Sequence, residues 1–140
     1  MLFRSPTDRL LIHDAARCLV TPDLLDRCRA ALTEHAAVTA AVPTVDTIAR
    51  VEDGRLAEIP PRHTLHQVQT PQGFAFDLIR EAHLAAIRDG ISDASDDAGL
   101  VLRLGRAVRI VPGDSANIKV SKPADLTLAA ALLGEAGPAR

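Results

Sequence analysis

The sequence predicts an α/β fold, a mostly parallel sheet with helices against it and a short β-arm protruding from the domain. Three observations predict it: short apolar runs alternate with amphipathic stretches, helix start and stop signals fall between them, and Asp53-Gly54 separates two polar, weakly alternating segments. The chain's 140 residues fit one domain, and a domain of that size buries roughly 70% of its unfolded surface. Its expected extent is 1–133, with the arm at about 44–68 and a Gly/Pro/Ala-rich flexible tail at 134–140.

The run Arg9 to Asp14 (RLLIHD) is apolar and ends in polar residues, as a buried parallel strand does where it emerges at its carboxyl end. Asp14 then stands at the edge of the sheet where α/β folds hold ligands. Thr21-Pro22-Asp23 opens a helix with a hydroxyl cap, proline at the first helical position and an acid near the positive dipole end. Leu24, Leu25, Cys28 and Leu32 form its apolar stripe. Val38 to Pro43 is a second buried strand and leads into the Asp53-Gly54 hairpin.

Thr70 to Phe74 (TPQGF) reads as a loop. Helical spacing through Leu78, Ala82 and Ala85 predicts a helix from Asp77 to Asp89 that Gly90 stops. A short helix over Asp96 to Leu104 follows, capped by Ser95 and ended by Gly105. VRIVPGD reads as strand and turn, NIKV as another short strand, and Pro123 opens a last helix through DLTLAAALL. Lys122 falls at the cap of that helix, which forfeits about 1 kcal/mol relative to Ser or Thr.

Hydrophobic residues make up 47% of the chain and charged residues 24%, with a net charge of −2, so no basic field seeks nucleic acid. Cys18 and Cys28 stand apart with no C-x-x-C pairing, which indicates neither a zinc knuckle nor a disulfide framework and suits a reducing, cytoplasmic setting. The opening apolar run, Leu10 to Ile12, is too short for a signal sequence or a membrane span. His63 and His66 lie in an irregular stretch without a third ligand nearby, so they read as exposed arm residues rather than a zinc site.

IHDAAR (Ile12 to Arg17), Asp46-Thr47, QTPQGF (Gln69 to Phe74), SDDAGLV (Ser95 to Val101) and VPGDSANIKVSKPADL (Val111 to Leu126), in this order, resemble the 2-C-methyl-D-erythritol 4-phosphate cytidylyltransferase family over nearly the whole chain. The resemblance implies a truncated Rossmann-like nucleotide-diphospho-sugar transferase fold that dimerises through its β-arm. It also implies transfer of CMP from CTP to a sugar-alcohol phosphate in isoprenoid precursor synthesis, with Mg2+ assisting the departure of pyrophosphate. Such chemistry needs positioned cations more than an acid–base pair, because charge spreads over nonbridging oxygens.

By the same resemblance Lys119 and Arg62 are the catalytic cations, Arg62 reaching from the arm into the partner subunit's site. Arg17, Thr47, Thr70 and Ser95 match substrate contacts. Asp14 matches the acid beside the nucleotide and its Mg2+, a hard oxygen donor rather than a general base. Cys18 stands where the family usually has proline, and Ser95 where it has threonine. The arm lacks the family's common DR-x-x-L-W string and looks closer to ribitol-5-phosphate cytidylyltransferases, which offers a pentitol phosphate as the alternative substrate. The family's glycine-rich CTP loop, G-x-G-x-R-x-G followed by lysine, has no counterpart before Arg9. The expectation is therefore a C-terminal portion, inactive alone, with a non-catalytic dimerisation remnant as a further alternative.

Overall fold

A computed structural model describes residues 9–135. Residues 1–8 and most of the expected tail, 136–140, lie outside the described residues. Four strands form the main sheet: β1 (Arg9–Ile12), β2 (Ala37–Pro43), β5 (His66–Ala75) and β6 (Arg109–Pro112), in the order β1-β5-β2-β6. Both β1 and β2 pair antiparallel with β5, and β2 pairs parallel with β6. The sheet is thus mixed: β1, β2 and β6 share one direction and β5 runs against them. The strands β3 (Arg50–Glu52) and β4 (Arg55–Glu58) make a separate hairpin.

Side-chain alternation explains the layers. Leu10, Ile12, Ala37 and Phe74 face one side of the sheet and pack with α2 (Phe76–Arg88) and α3 (Asp97–Arg103). Leu11, Val38, Ala40 and Val111 face the other side and pack on Leu24, Cys28 and Leu32 of α1 (Pro22–Ala31) and its end. Thr21 caps α1 as expected, its hydroxyl accepting from the Leu24 N–H at 3.3 Å. Cys18 and Cys28 are both free, and burial pushes the Cys28 thiol up.

The segment Thr70 to Phe74 is not a loop; it lies inside β5. Gly73 is there for close packing, since a Cβ would come within 2.7–2.9 Å of Leu32, Leu11 and Val38 side chains. The proline is accommodated by a register irregularity: Thr39 faces Gln72 while Ala41 faces Val68, so β5 carries extra residues opposite Ala40. That bulge leaves Thr70-Pro71 out of the ladder with β2.

The hairpin forms where Asp53-Gly54 places it, with φ of 49° and 73° at the two turn residues. Every residue of β3 and β4 is exposed. The arm is shorter than expected at its far end, because residues 66–68 already belong to β5.

Two expected caps are replaced. Asp96, not Ser95, caps α3, its carboxylate accepting from Gly99 N–H at 2.8 Å. Before α4 (Pro123–Glu135), the carboxylate of Asp125 accepts from Ser121 and Lys122 N–H, each at 2.8 Å, and so supplies what a lysine cap cannot. The helix runs to Glu135, past the expected boundary at 133.

The same hydrogen bonds, Ser121 N–H first and Lys122 N–H next, hold the Asp125 carboxyl below its ordinary range. A lowered folded value means the contribution is present above the unfolded value, near 3.8, and is lost as pH falls through the folded one. Amide exchange at Ser121 and Lys122 should therefore accelerate as pH falls below the unfolded value near 3.8 and through the folded one, after correction for intrinsic rates. Asp125→Asn should remove this dependence; an Asn variant that keeps it would refute the assignment.

Candidate phosphate-binding site

The carboxyl ends of β1, β2 and β6 and the amino-terminal half of β5 meet at one edge of the sheet. A cavity of about 680 Å3 opens there, lined by Arg17, Pro43, Val68, Gln69, Asn117 and Lys119 among others. Arg17 and Lys119 are its only charged lining residues among those described, so its field favours anions. A slightly larger cavity, about 750 Å3, opens at the opposite edge, but its rim mixes Glu34, Asp77 and Glu81 with Arg106 and Arg109. The smaller, cation-lined cavity is the better candidate for a phosphate site.

Asp14 follows β1 and sits between the two cations. Its Oδ2 is 3.0 Å from Lys119 Nζ and 3.9 Å from Arg17 Nε. Arg17 is largely buried; its Nη1 donates to Asn117 O at 2.8 Å and its Nη2 to Val68 O at 3.4 Å. Burial pulls the guanidinium below its ordinary value and Asp14 partly offsets this, which leaves it cationic at any physiological pH. Arg17 Nε and Asn117 Oδ1 are buried without a hydrogen-bond partner among the described residues.

The loop that carries Lys119 is fixed by side chains and isolated backbone bonds. NIKV, expected as a strand, joins no ladder. Instead Asn117 Nδ2 donates to Thr70 O at 2.8 Å, and Val120 N–H donates to Ala16 O at 2.8 Å. Gln69 clamps the turn after β6, its Nε2 donating to Asp114 O at 2.8 Å and its Oε1 accepting from Asp114 N–H at 3.2 Å. Gly113 must be glycine here, because a Cβ would strike the Gln69 amide and the Ala41 backbone.

Among the residues expected from the sequence, the fold brings together Asp14, Arg17, Lys119 and, through its bond to the Asp14 N–H at 3.0 Å, Thr70. It does not bring in the others. Thr47 is exposed on the way to the hairpin, Ser95 is exposed before α3, and Arg62 is exposed on a single 3-10 turn, donating to Val45 O at 3.1 Å. His13, Gln69 and Asn117 are site residues that the sequence does not single out. The signal available for them is a polar side chain inside a motif, next to a residue already chosen.

Magnesium poses a test of fit. Among the described residues no three His, Cys, Asp or Glu side chains converge. Asp14 offers one carboxylate, and its Oδ2 is already paired with Lys119 and faces Arg17, so an ion held there would take most of its shell from water and substrate phosphate.

A sheet edge with one carboxylate held between two cations, beside a cation-lined cavity, marks an α/β fold with a candidate anion site. The sequence matches the family model for 2-C-methyl-D-erythritol 4-phosphate cytidylyltransferase (IspD) over residues 3–135. It is 48% identical over 125 residues to the protein of that name from Synechococcus sp. (strain CC9902), covering 89% of this chain and 55% of the relative. It is 47% identical over 127 residues to that of Thermosynechococcus vestitus, covering 90% and 54%. The crystal structure of the Thermus thermophilus protein superposes with a TM-score of 0.79 at 41% identity, covering 89% of this chain and 61% of that one. The chain belongs to the 2-C-methyl-D-erythritol 4-phosphate cytidylyltransferase family. It spans about half the length of the curated relatives it matches. No helix among the described residues is long and apolar enough to cross a membrane.

Proposed function

We propose that the protein carrying this chain transfers CMP from CTP to 2-C-methyl-D-erythritol 4-phosphate, and that this stretch supplies the grip on the acceptor's phosphate. The cation-lined cavity around Arg17 and Lys119 is the observation that carries the reading. A phosphate oxygen of the acceptor attacks the α-phosphorus of CTP; the new P–O bond forms as the bond to the β-phosphate breaks, and pyrophosphate leaves. The attacking oxygen is already anionic, so no general base is needed. Arg17 and Lys119 hold the acceptor phosphate against its repulsion from the triphosphate and stabilise charge on the nonbridging oxygens.

Asp14 is the residue that would hold Mg2+, whose role is to neutralise charge on the departing pyrophosphate. Thr70 sits beside it. Thr47, Arg62 and Ser95 act, in this reading, at a site completed by a second copy of the chain. Support for a homodimer through the β-arm comes from Val51 and Leu56, 61% and 64% exposed on a hairpin that would be marginal in water by itself. Two free thiols accord with a cytoplasmic location.

Pyrophosphate release by the whole protein from CTP should be fast with 2-C-methyl-D-erythritol 4-phosphate, slower with ribitol 5-phosphate, and abolished by chelating Mg2+. Faster release with ribitol 5-phosphate would reassign the substrate, and no release with either would remove the activity.

A further inference from the structure

We infer that His13 is a positioning residue of this site, its two ring nitrogens tying the Asp14–Arg17 turn to β5. Its ring is engaged at both nitrogens: Nε2 lies 2.9 Å from Arg17 O, and Nδ1 lies 2.9 Å from Thr70 Oγ1. A carbonyl oxygen can only accept, so the proton is on Nε2. Nδ1 is assigned as the acceptor, with the Thr70 hydroxyl giving its proton to that nitrogen. The Thr70 oxygen in turn accepts from Asp14 N–H at 3.0 Å.

Hydrogen-bond direction is thereby fixed around a closed set of groups. His13 holds the backbone of Arg17 from inside the turn, and through Thr70 it holds the backbone of Asp14. The turn's own closing bond, Arg17 N–H to Asp14 O at 3.0 Å, lies between these two tethers. The carboxylate and guanidinium that flank Lys119 are therefore spaced by an imidazole that is hydrogen-bonded to neither charged group. The Thr70 hydroxyl has its proton committed and one lone pair free, so it meets a ligand as an acceptor, suited to a sugar hydroxyl rather than a phosphate oxygen.

The inference that His13 positions ligand-holding groups rests on the proposed function, whereas its tautomer does not. In protein labelled with 15N-histidine, long-range 1H–15N correlation at neutral pH should show His13 protonated at Nε2 only, with Nδ1 unprotonated. An Nδ1-protonated ring, or averaging between tautomers, would overturn the proposal whatever the activity. Two substitutions then separate the tethers. His13→Asn can place its amide oxygen at the Nδ1 position and keep the Thr70 bond, while losing the bond to Arg17. His13→Gln can place its amide N–H near the Nε2 position and keep the bond to Arg17, while losing Thr70.

Loss of one such bond corresponds to about tenfold in affinity. The Asn variant should raise KM for the sugar phosphate about tenfold with kcat little changed, and the Gln variant should raise it clearly less. Equal effects of the two, or losses that merely follow a fall in Tm, would reduce His13 to a structural role. If the whole protein transfers no CMP, the proposed function fails and the tautomer result alone decides for or against His13.

Discussion

Replacing Lys119 with alanine in the whole protein should lower kcat/KM for CMP transfer by about 10²–10³-fold, the usual loss when one positioned donor to a charged transition state is removed. The ammonium lies 3.0 Å from Asp14 Oδ2 and lines the anion-attracting cavity, which would keep Arg17 as its only cation among the described residues. Stability should hardly change. The Lys119 side chain is 53% exposed, and exposed ion pairs contribute little to folding. Arginine at this position should recover only part of the rate, because its planar fork cannot copy a compact point charge on the same short reach. Steady-state pyrophosphate release and a thermal melt on the same preparations check both halves. A loss below tenfold, or one accompanied by a large fall in Tm, would take Lys119 out of the reaction.

The largest stability effect is expected from Gln72→Leu, a change of similar volume inside the central strand. Gln72 is 2% exposed, and its amide serves three partners. Nε2 donates to Thr39 Oγ1 at 3.1 Å and to Asp96 Oδ2 at 2.9 Å, while Oε1 accepts from Ala98 N–H at 3.0 Å. Leucine would strand a buried N–H at the start of α3 and leave the capping carboxylate of Asp96 short of a donor. Orphaned groups of this kind cost about 1–3 kcal/mol each, so about 3 kcal/mol in total is expected. In a chain of this length that lowers Tm by roughly 6–12 °C. A shift under about 2 °C would show that α3 is held by its apolar contacts alone.

The fold is legible where local chemistry decides it. Thr21-Pro22 starts a helix and Asp53-Gly54 makes a two-residue turn in almost any context, and both do so here. Structure and sequence part where tertiary packing overrides the local cue. Pro71 and Gly73 signal a loop, yet a bulge houses the first and crowding by Leu11, Leu32 and Val38 demands the second. Ser95 and Lys122 stand where caps belong by position, whereas Asp96 and Asp125 cap from one and three residues further on.

The candidate site divides in the same way. Asp14, Arg17 and Lys119 announce themselves as charges in recognisable strings. His13, Gln69 and Asn117 do not, because each works by hydrogen-bonding groups far away in sequence: Gln69 reaches 45 residues to Asp114 and Asn117 reaches 47 to Thr70. Nothing in a neighbouring residue reveals such a partner.

The Asn117 tether has a kinetic consequence. Its carbonyl is joined to Arg17 across 100 residues, and Asp14 is joined to Thr70 across 56, so the bonds that tie the cavity's walls together close long loops. Contacts of this separation form late, once the strands that bracket them have paired. The cavity is therefore absent from partly folded chains, and an anion that binds it binds only the native state. Such a ligand shifts the folding equilibrium by mass action, RT ln(1 + [L]/Kd), and raises the melting temperature in proportion to its occupancy of a site that no fragment of the sheet could assemble.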